Sequence, residues 1–265
     1  PEDAAKYAKL FEEVRAAFIS AYVSEEGRIA CESQTAYVLA LEFDLLPPEL
    51  REKATQYYAA DIEARDGHLS TGFVGCSYAP FALSNNGRTD VVYRLLANTT
   101  FPSWCYAVCH GATTIWERWD GWTEENGFQH SGMNSFNHYA YGAVGDWLYR
   151  VVAGIDLETP GYKNIIIRPC PGGTITEAKA SFLSSYGTIA SAWKREGDRF
   201  TLDVTIPCNT TATVYVPAGE GATATVDGAP LCDSKDVEFL RREGNSVVLR
   251  LGSGRYSFVS TGIGG

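Results

Sequence analysis

Residues 101–138 read FPSWCYAVCHGATTIWERWDGWTEENGFQHSGMNSFNH, a stretch rich in aromatic and acidic side chains. Trp116, Trp119 and Trp122 recur at every third position, and carboxylates stand between and after them. Aromatic rings pack against the apolar faces of sugars, whereas carboxylate, amide and imidazole groups bind sugar hydroxyls. The stretch therefore indicates a carbohydrate-binding surface. The periodicity of apolar residues before this stretch differs from the periodicity after it.

Upstream of this stretch, the sequence has the periodicity of α-helices. Residues 3–23 carry apolar side chains at spacings of three and four, which predicts one helix with a single apolar face. Ser33 and Pro47-Pro48 are residue types that favour helix N-termini, so two further helices are expected after them. Residues 134–153 predict one long helix at the end of this part of the chain.

After residue 157 the pattern becomes that of short strands separated by turns. Residues 200–206 alternate between apolar and polar side chains, as a half-buried strand does. Asp227-Gly228 is a typical hairpin turn. About seven to nine such strands predict an antiparallel β-sandwich. We therefore expect a multi-domain chain, with helices in residues 1–157 and the β-sandwich in residues 158–265.

The charge balance excludes several classes of partner. The 265 residues carry 22 basic and 32 acidic side chains, a formal net charge of −10, without a basic block. Nucleic acids and anionic membranes are bound by clustered Lys and Arg, so neither is an expected partner. The sequence has no apolar run of about 18 residues, so we expect a soluble protein without a transmembrane helix, and the pattern does not choose between cytoplasm and periplasm.

The seven cysteines do not have the spacing of a metal site. They include no CxxC pair, and the nearest approach to a zinc ligand set is Cys105, Cys109 and His110. We therefore expect reduced, structural thiols, and we expect neither a metal nor another cofactor.

Glu117 is the strongest candidate for a catalytic carboxylate. Glycoside hydrolysis requires two carboxyl groups that flank one bond, and Glu117 stands among the tryptophans, directly after Trp116 and two residues before Trp119. The alternative is a structural carboxylate that pairs with Arg118 or Arg150 on the surface.

His138 is a candidate sugar-binding residue that follows a turn rich in Ser and Asn. It falls inside the helix expected at 134–153. An imidazole at this position binds a ligand hydroxyl or, alternatively, hydrogen-bonds to backbone in the core. Asp120 is interpreted as the cap of a helix or turn rather than as a catalytic group.

Two motifs in this region resemble those of a known enzyme family. Residues 110–120, HGATTIWERWD, resemble a signature late in the catalytic domain of glycoside hydrolase family 78, the bacterial α-L-rhamnosidases. Residues 134–142, NSFNHYAYG, are similar to the next block of that family. The resemblance runs from about residue 30 to residue 260, with further matches at 69–75, 102–104 and 161–169, and it is most specific at 102–145.

This resemblance implies a fold and a reaction. Members of the family fold the matching region as part of an (α/α)6 barrel followed by a β-domain. Residues 1–157 are then the C-terminal half of the barrel, and residues 158–265 are the C-terminal β-sandwich. The family hydrolyses terminal α-L-rhamnosyl groups with inversion, so the expected ligand is a rhamnose-containing oligosaccharide or glycoside.

The resemblance also implies roles for four residues. Glu117 matches the general base that activates water, and His138 matches a residue that contacts the bound rhamnose. Trp116 and Trp119 lie beside the base and are expected to line the pocket. The general acid of the family lies in an upstream block that this chain lacks, so a fragment with half of an active site is expected.

Two other functions fit the same sequence. Another helical-toroid sugar hydrolase, such as a fucosidase, would show similar helix pairs and a similar β-domain, because a fold does not determine one function. A non-catalytic carbohydrate-binding or structural module fits the missing acid. Half a barrel leaves apolar helix faces uncovered, so the chain alone is expected to self-associate through them, to repack its N-terminal helices or to bind the missing half.

Overall fold

A computed structural model describes residues 2–219, 221–231, 234 and 236–262 of the chain. The chain divides into two compact units, Pro1–Val144 and Gly145–Gly265. The first unit is helical and the second is built from β-strands, which confirms the predicted order of α followed by β. The domain boundary expected at 157/158 from the sequence pattern stays a prediction.

The helical unit begins with the three helices expected from the periodicity of the sequence. They are α1 (Glu2–Tyr22), α2 (Gln34–Glu42) and α3 (Pro48–Ala64). Ser33 caps α2, since its hydroxyl accepts a hydrogen bond from the N–H of Ala36. Shorter helices follow as α4 (Phe73–Cys76), α5 (Ala79–Ser84), α6 (Thr89–Ala97) and α7 (Trp104–Cys109).

Helices α2, α3, α5 and α6 form the core of the helical unit. Their apolar side chains are excluded from water, and burial of each such side chain contributes roughly 1.5–3 kcal/mol to folding. The fully buried members include Val38, Leu41, Tyr58, Ile62, Leu83 and Val92.

Helix α1 has the predicted apolar face but leaves it uncovered. None of its residues is buried, and Tyr7, Val14 and Tyr22 are 61%, 53% and 56% exposed. An apolar helix face of this kind normally packs against another element. In the described part of the chain, no helix, α1 included, is long and apolar enough to cross a bilayer.

Residues 134–153 do not form the single long helix that their pattern predicted. A short hairpin, β1 (Trp122–Thr123) and β2 (Gly127–Phe128), comes first. Helical structure begins only at Tyr139, because the preceding residues hydrogen-bond to another chain segment. Three short pieces then follow, α8 (Tyr139–Gly142), α9 (Val144–Trp147) and a π-helical turn (Leu148–Val152).

The second unit consists of two open sheets. Strand β7 has the predicted alternation, since Phe200, Leu202 and Val204 are buried between more exposed polar residues. The strands are β3 (Ile155–Leu157), β4 (Asn164–Ile167), β5 (Glu177–Ser184), β6 (Gly187–Glu196), β7 (Arg199–Ile206), β8 (Thr211–Pro217), β9 (Ala224–Val226), β10 (Ala229–Pro230), β11 (Val237–Glu243), β12 (Ser246–Leu251) and β13 (Gly254–Ser260).

The strand order departs in one place from a purely antiparallel sandwich. One sheet has the order β10-β9-β13-β7-β6-β5, and the other has the order β11-β12-β8-β4-β3. Strands β4 and β8 pair in parallel, whereas the other described pairs are antiparallel. A parallel pair needs a long connection. Here strands β5, β6 and β7 of the other sheet supply that connection.

The β-unit holds the segment before β3 by buried polar contacts. The indole N–H of Trp193 donates to the carbonyl of Val152 at 2.6 Å. The hydroxyl of Ser191 donates to the carbonyl of Ala153, also at 2.6 Å. Gly154 follows with φ of +81°, and its carbonyl accepts the N–H of Arg168. A Cβ at Gly154 would lie 2.2 Å from the nitrogen of Pro169.

Candidate active site

Two irregular chain segments lie side by side and carry the two strongest site candidates. The N–H of Glu117 donates to the carbonyl of Ser135 at 2.8 Å. In return, the N–H of Ser135 donates to Oε2 of Glu117 at 2.7 Å. Nearby, the N–H of His138 donates to the carbonyl of Ile115 at 2.9 Å. The fold therefore brings the backbones of Glu117 and His138 onto adjoining segments.

The carboxylate of Glu117 is half-buried and is oriented by a backbone N–H rather than by a neighbouring guanidinium. Arg118, the next residue, is instead paired with Asp120 through two hydrogen bonds of 2.9 and 2.8 Å. Asp120 therefore serves as the partner of an arginine. A backbone hydrogen bond fixes the orientation of the carboxylate that accepts it. A group that positions a water molecule for reaction needs such a fixed orientation.

Trp116 and Trp119 are both held firmly, by different contacts. Trp116 is only 9% exposed and meets Phe136 edge to face at 5.4 Å between ring centroids. The indole N–H of Trp119 donates to the carbonyl of Thr71 at 3.0 Å, and its ring stacks on Tyr141 at 4.0 Å. Trp119 is half-buried, so it presents a larger rigid surface to a ligand than Trp116 does.

His138 caps a helix instead of lying inside one. It is the N-cap of α8, with extended φ and ψ of −133° and 133°. Its Nδ1 accepts the N–H of Ala140 at 3.2 Å. A neutral imidazole in this arrangement carries its proton on Nε2, which is then the atom that donates to a hydroxyl.

A cluster that the sequence did not suggest holds the hairpin β1–β2 against α7. The ring of His110 lies between those of Tyr106 and Trp122, at centroid distances of 4.2 and 5.2 Å. The hydroxyl of Tyr106 accepts the N–H of Glu124 at 3.1 Å. Trp122 is therefore a structural anchor of the hairpin. In the sequence, its position three residues after Trp119 was the only signal that pointed to it.

The candidate zinc ligands do not form a metal site. Within the described residues, no three His, Cys, Asp or Glu side chains are grouped so that they could hold a metal ion. Cys105 donates to the carbonyl of Leu96 at 3.0 Å, and Nδ1 of His110 hydrogen-bonds to the carbonyl of Tyr106 at 2.8 Å. These groups contribute to local structure.

Comparison with known proteins identifies the family. Residues 1–152 match the model of the bacterial alpha-L-rhamnosidase six-hairpin glycosidase domain. Residues 154–229 match the bacterial alpha-L-rhamnosidase C-terminal domain. The chain belongs to the bacterial alpha-L-rhamnosidase family. The family predicted from residues 110–120 and 134–142 is therefore confirmed.

Individual members of the alpha-L-rhamnosidase family align with nearly the whole chain. An alpha-L-rhamnosidase of Streptomyces avermitilis is 44% identical over 257 residues, which are 97% of this chain and 24% of the relative. One from Formosa agariphila is 38% identical over 259 residues, 97% of this chain and 28% of the relative. The crystal structure of the Streptomyces avermitilis alpha-L-rhamnosidase complexed with L-rhamnose matches with a TM-score of 0.89 and 43% identity, covering 97% of this chain and 24% of that one. The chain thus spans about a quarter of the length of these relatives.

Proposed function

We propose that this chain supplies the general-base half of an active site that hydrolyses terminal α-L-rhamnosyl groups with inversion. The observation that carries the proposal is the reciprocal hydrogen bonding of Glu117 and Ser135, which fixes one carboxylate within the family's aromatic motif. The relative that was crystallised with L-rhamnose supports rhamnose as the sugar bound.

In the proposed reaction, Glu117 takes a proton from the attacking water. The N–H of Ser135 engages Oε2, so Oε1 is the oxygen that faces the water. The water attacks the anomeric carbon while a general acid on the other side of the bond protonates the leaving oxygen. In inverting enzymes the two carboxyl groups stand about 6.5–9.5 Å apart. We assign the acid to a part of the enzyme outside this chain, which spans only a quarter of its relatives.

His138, Trp116 and Trp119 bind the sugar in this proposal. His138 donates from Nε2 to a rhamnose hydroxyl, because its Nδ1 is engaged by the N–H of Ala140. Trp119 contributes an aromatic wall that its contacts with Thr71 and Tyr141 hold in place. Trp116 contributes the narrow edge that remains exposed.

Replacement of His138 tests this assignment. In a full-length enzyme that contains this chain, His138→Ala is expected to raise KM for an aryl α-L-rhamnoside about tenfold and to lower kcat, since a hydrogen bond to the sugar is lost. His138→Asn retains a side-chain oxygen that can cap α8, so it should restore stability but not KM. Steady-state kinetics give KM and kcat of both variants, and thermal unfolding gives their stability relative to the parent enzyme.

The matched control for this experiment is His130→Ala. His130 is an exposed histidine in the same stretch, so its replacement should leave KM unchanged. Normal kinetics in His138→Asn would contradict the proposed sugar contact and would leave His138 with the capping role alone.

We also propose that the isolated chain self-associates through the apolar face of α1. Beside this helix lies a groove of about 570 Å³, lined almost entirely by apolar side chains such as Phe18, Leu39 and Phe43. Monomeric proteins rarely expose a contiguous apolar surface beyond a few hundred Å². A second copy of the chain covers such a face when the rest of the enzyme is not there.

Sedimentation of the purified chain is expected to show a dimer or a larger species, and aryl rhamnoside is expected to remain unhydrolysed. Leu10→Glu should shift the chain towards monomer, because it places a charge in the apolar face. Lys9→Glu, on the opposite side of α1, is the control and should leave the association unchanged. A compact monomer at all concentrations, or hydrolysis that depends on Glu117, would contradict these expectations.

A further inference from the structure

The helical unit contains a cleft whose lining includes Arg118, the residue that follows Glu117. This cleft of about 640 Å³ opens between the loop at residues 65–72, Phe101-Pro102 and residues 118–120, with Tyr141 on one wall. Pockets that bind small ligands usually measure about 300–1,000 Å³. The cleft is therefore large enough for a single sugar ring and for part of the next one.

The loop at one wall of this cleft is held by a buried glutamine. Gln34 is 1% exposed, donates to the carbonyl of His68 at 3.2 Å and accepts the N–H of Ser70 at 2.8 Å. The ring nitrogens of His68 hydrogen-bond to the carbonyl of Arg65 and to the hydroxyl of Thr100. These bonds fix the loop before any ligand arrives, which lowers the entropic cost of binding.

The opposite wall is aromatic and equally fixed. Trp119 stacks on Tyr141 with an interplanar angle of 14°, and Trp104 meets the Trp119 ring edge to face at 5.3 Å. The hydrogen bond from the indole N–H to the carbonyl of Thr71 ties this wall to the loop. A rigid aromatic surface beside polar groups is suited to the C–H face of a sugar.

The charges in this cleft favour a neutral ligand. Arg65 and Arg118 line it together with Asp66 and Asp120, two side chains of each sign. Arg118 and Asp120 are already paired, and their side chains are still 42% and 40% exposed. A phosphate or carboxylate would need an arginine that is not neutralised in this way. The paired groups instead offer both donors and acceptors to hydroxyls.

We propose that this cleft binds the leaving-group sugar of the substrate, the neutral pyranose to which the rhamnosyl group is attached. This assignment rests on the proposed rhamnosidase function for the identity of the ligand, but the cleft and its lining do not depend on it. Arg118 and Asp120 are then specificity residues for the leaving group, while Glu117 and His138 act on the rhamnosyl ring.

Gly72 provides a way to close the cleft without disturbing its walls. A Cβ at this position would meet no atom within 4 Å, and the residue has an extended φ of −81° and ψ of −166°. Gly72→Phe should therefore fill the cleft, and Gly72→Ala is the matched small replacement. Asp120→Asn removes the negative charge that neutralises Arg118, and Glu125→Gln is its control on an exposed part of the same stretch.

The experiment measures binding of methyl β-D-glucopyranoside and, separately, of L-rhamnose to the 265-residue chain by saturation-transfer NMR. Gly72→Phe is expected to abolish glucoside binding and Asp120→Asn to weaken it about tenfold, a loss of ~1.4 kcal/mol. Gly72→Ala and Glu125→Gln should bind as the unmodified chain does. Rhamnose binding should survive Asp120→Asn, Gly72→Ala and Glu125→Gln. Gly72→Phe should weaken rhamnose binding much less than glucoside binding, because Trp119 is the one residue assigned to both sugars.

The two sugars separate failure of this assignment from failure of the proposed function. Absence of glucoside binding to the unmodified chain, undiminished binding to Gly72→Phe, or an equal loss of both sugars would overturn the cleft assignment. Glucoside binding that depends on the cleft without any rhamnose binding would uphold the cleft as a neutral-sugar site. That result would count against the proposed roles of Glu117 and His138.

Discussion

Glu117→Gln, in a full-length enzyme that contains this chain, is expected to lower kcat about 10²–10⁴-fold with little change in KM. The amide has nearly the size of the carboxylate and still accepts the N–H of Ser135, so the two segments stay joined. It cannot take a proton from water, and the loss therefore falls on the chemical step. Initial rates on an aryl α-L-rhamnoside measure the effect.

Glu125→Gln is the control for this replacement. Glu125 is an exposed carboxylate in the same stretch, so its replacement should leave kcat and KM unchanged. A Glu117→Gln enzyme within a factor of two of the parent would assign Glu117 to structure.

Gly154→Ala is expected to destabilise the β-unit by roughly 2–5 kcal/mol. Left-handed backbone conformations cost other residues about 1–2 kcal/mol, and overpacking typically adds about 1–3 kcal/mol. Both apply here, because Gly154 has a φ of +81° and its Cβ would lie 2.2 Å from the nitrogen of Pro169. Such a loss is a large part of the stability of an ordinary domain. Urea unfolding of the purified chain gives the free energy.

Gly161→Ala separates the two contributions. Gly161 has a similar φ of +89°, but a Cβ there would meet no atom within 4 Å. It should therefore cost only the backbone strain, about 1–2 kcal/mol. Equal losses in the two variants would show that the segment around Pro169 moves aside easily.

The helices and strands that were predictable are those whose pattern is local. Helices α1, α2 and α3 followed from spacing and capping residues, and β7 followed from alternation, because these signals lie within the sequence of each element. The parallel pairing of β4 with β8 could not be predicted in this way. It depends on which strands meet across a long connection, and the alternation within each strand does not specify its partner.

The failed helix at 134–153 has a tertiary cause. Apolar spacing favoured a helix there, but the N–H and the carbonyl of Ser135 hydrogen-bond to Glu117, and the N–H of His138 donates to the carbonyl of Ile115. These are backbone groups that a helix would use for its own hydrogen bonds. The motif singled out Glu117 and His138, which the structure places on adjoining segments and whose roles stay predictions, whereas Ser135 had no signal of its own in the sequence.

The Glu117–Ser135 hydrogen bonds also join the two ends of the segment that contains the hairpin β1–β2. A change within the hairpin is therefore not transmitted to the residues on either side of it. The chain leaves Glu117, forms the hairpin and returns to the same point, so its two ends are joined independently of what lies between them. Exposed Glu125, at the tip, is therefore a permissive insertion point. A peptide tag or fluorophore placed there would leave the carboxylate of Glu117 where it is.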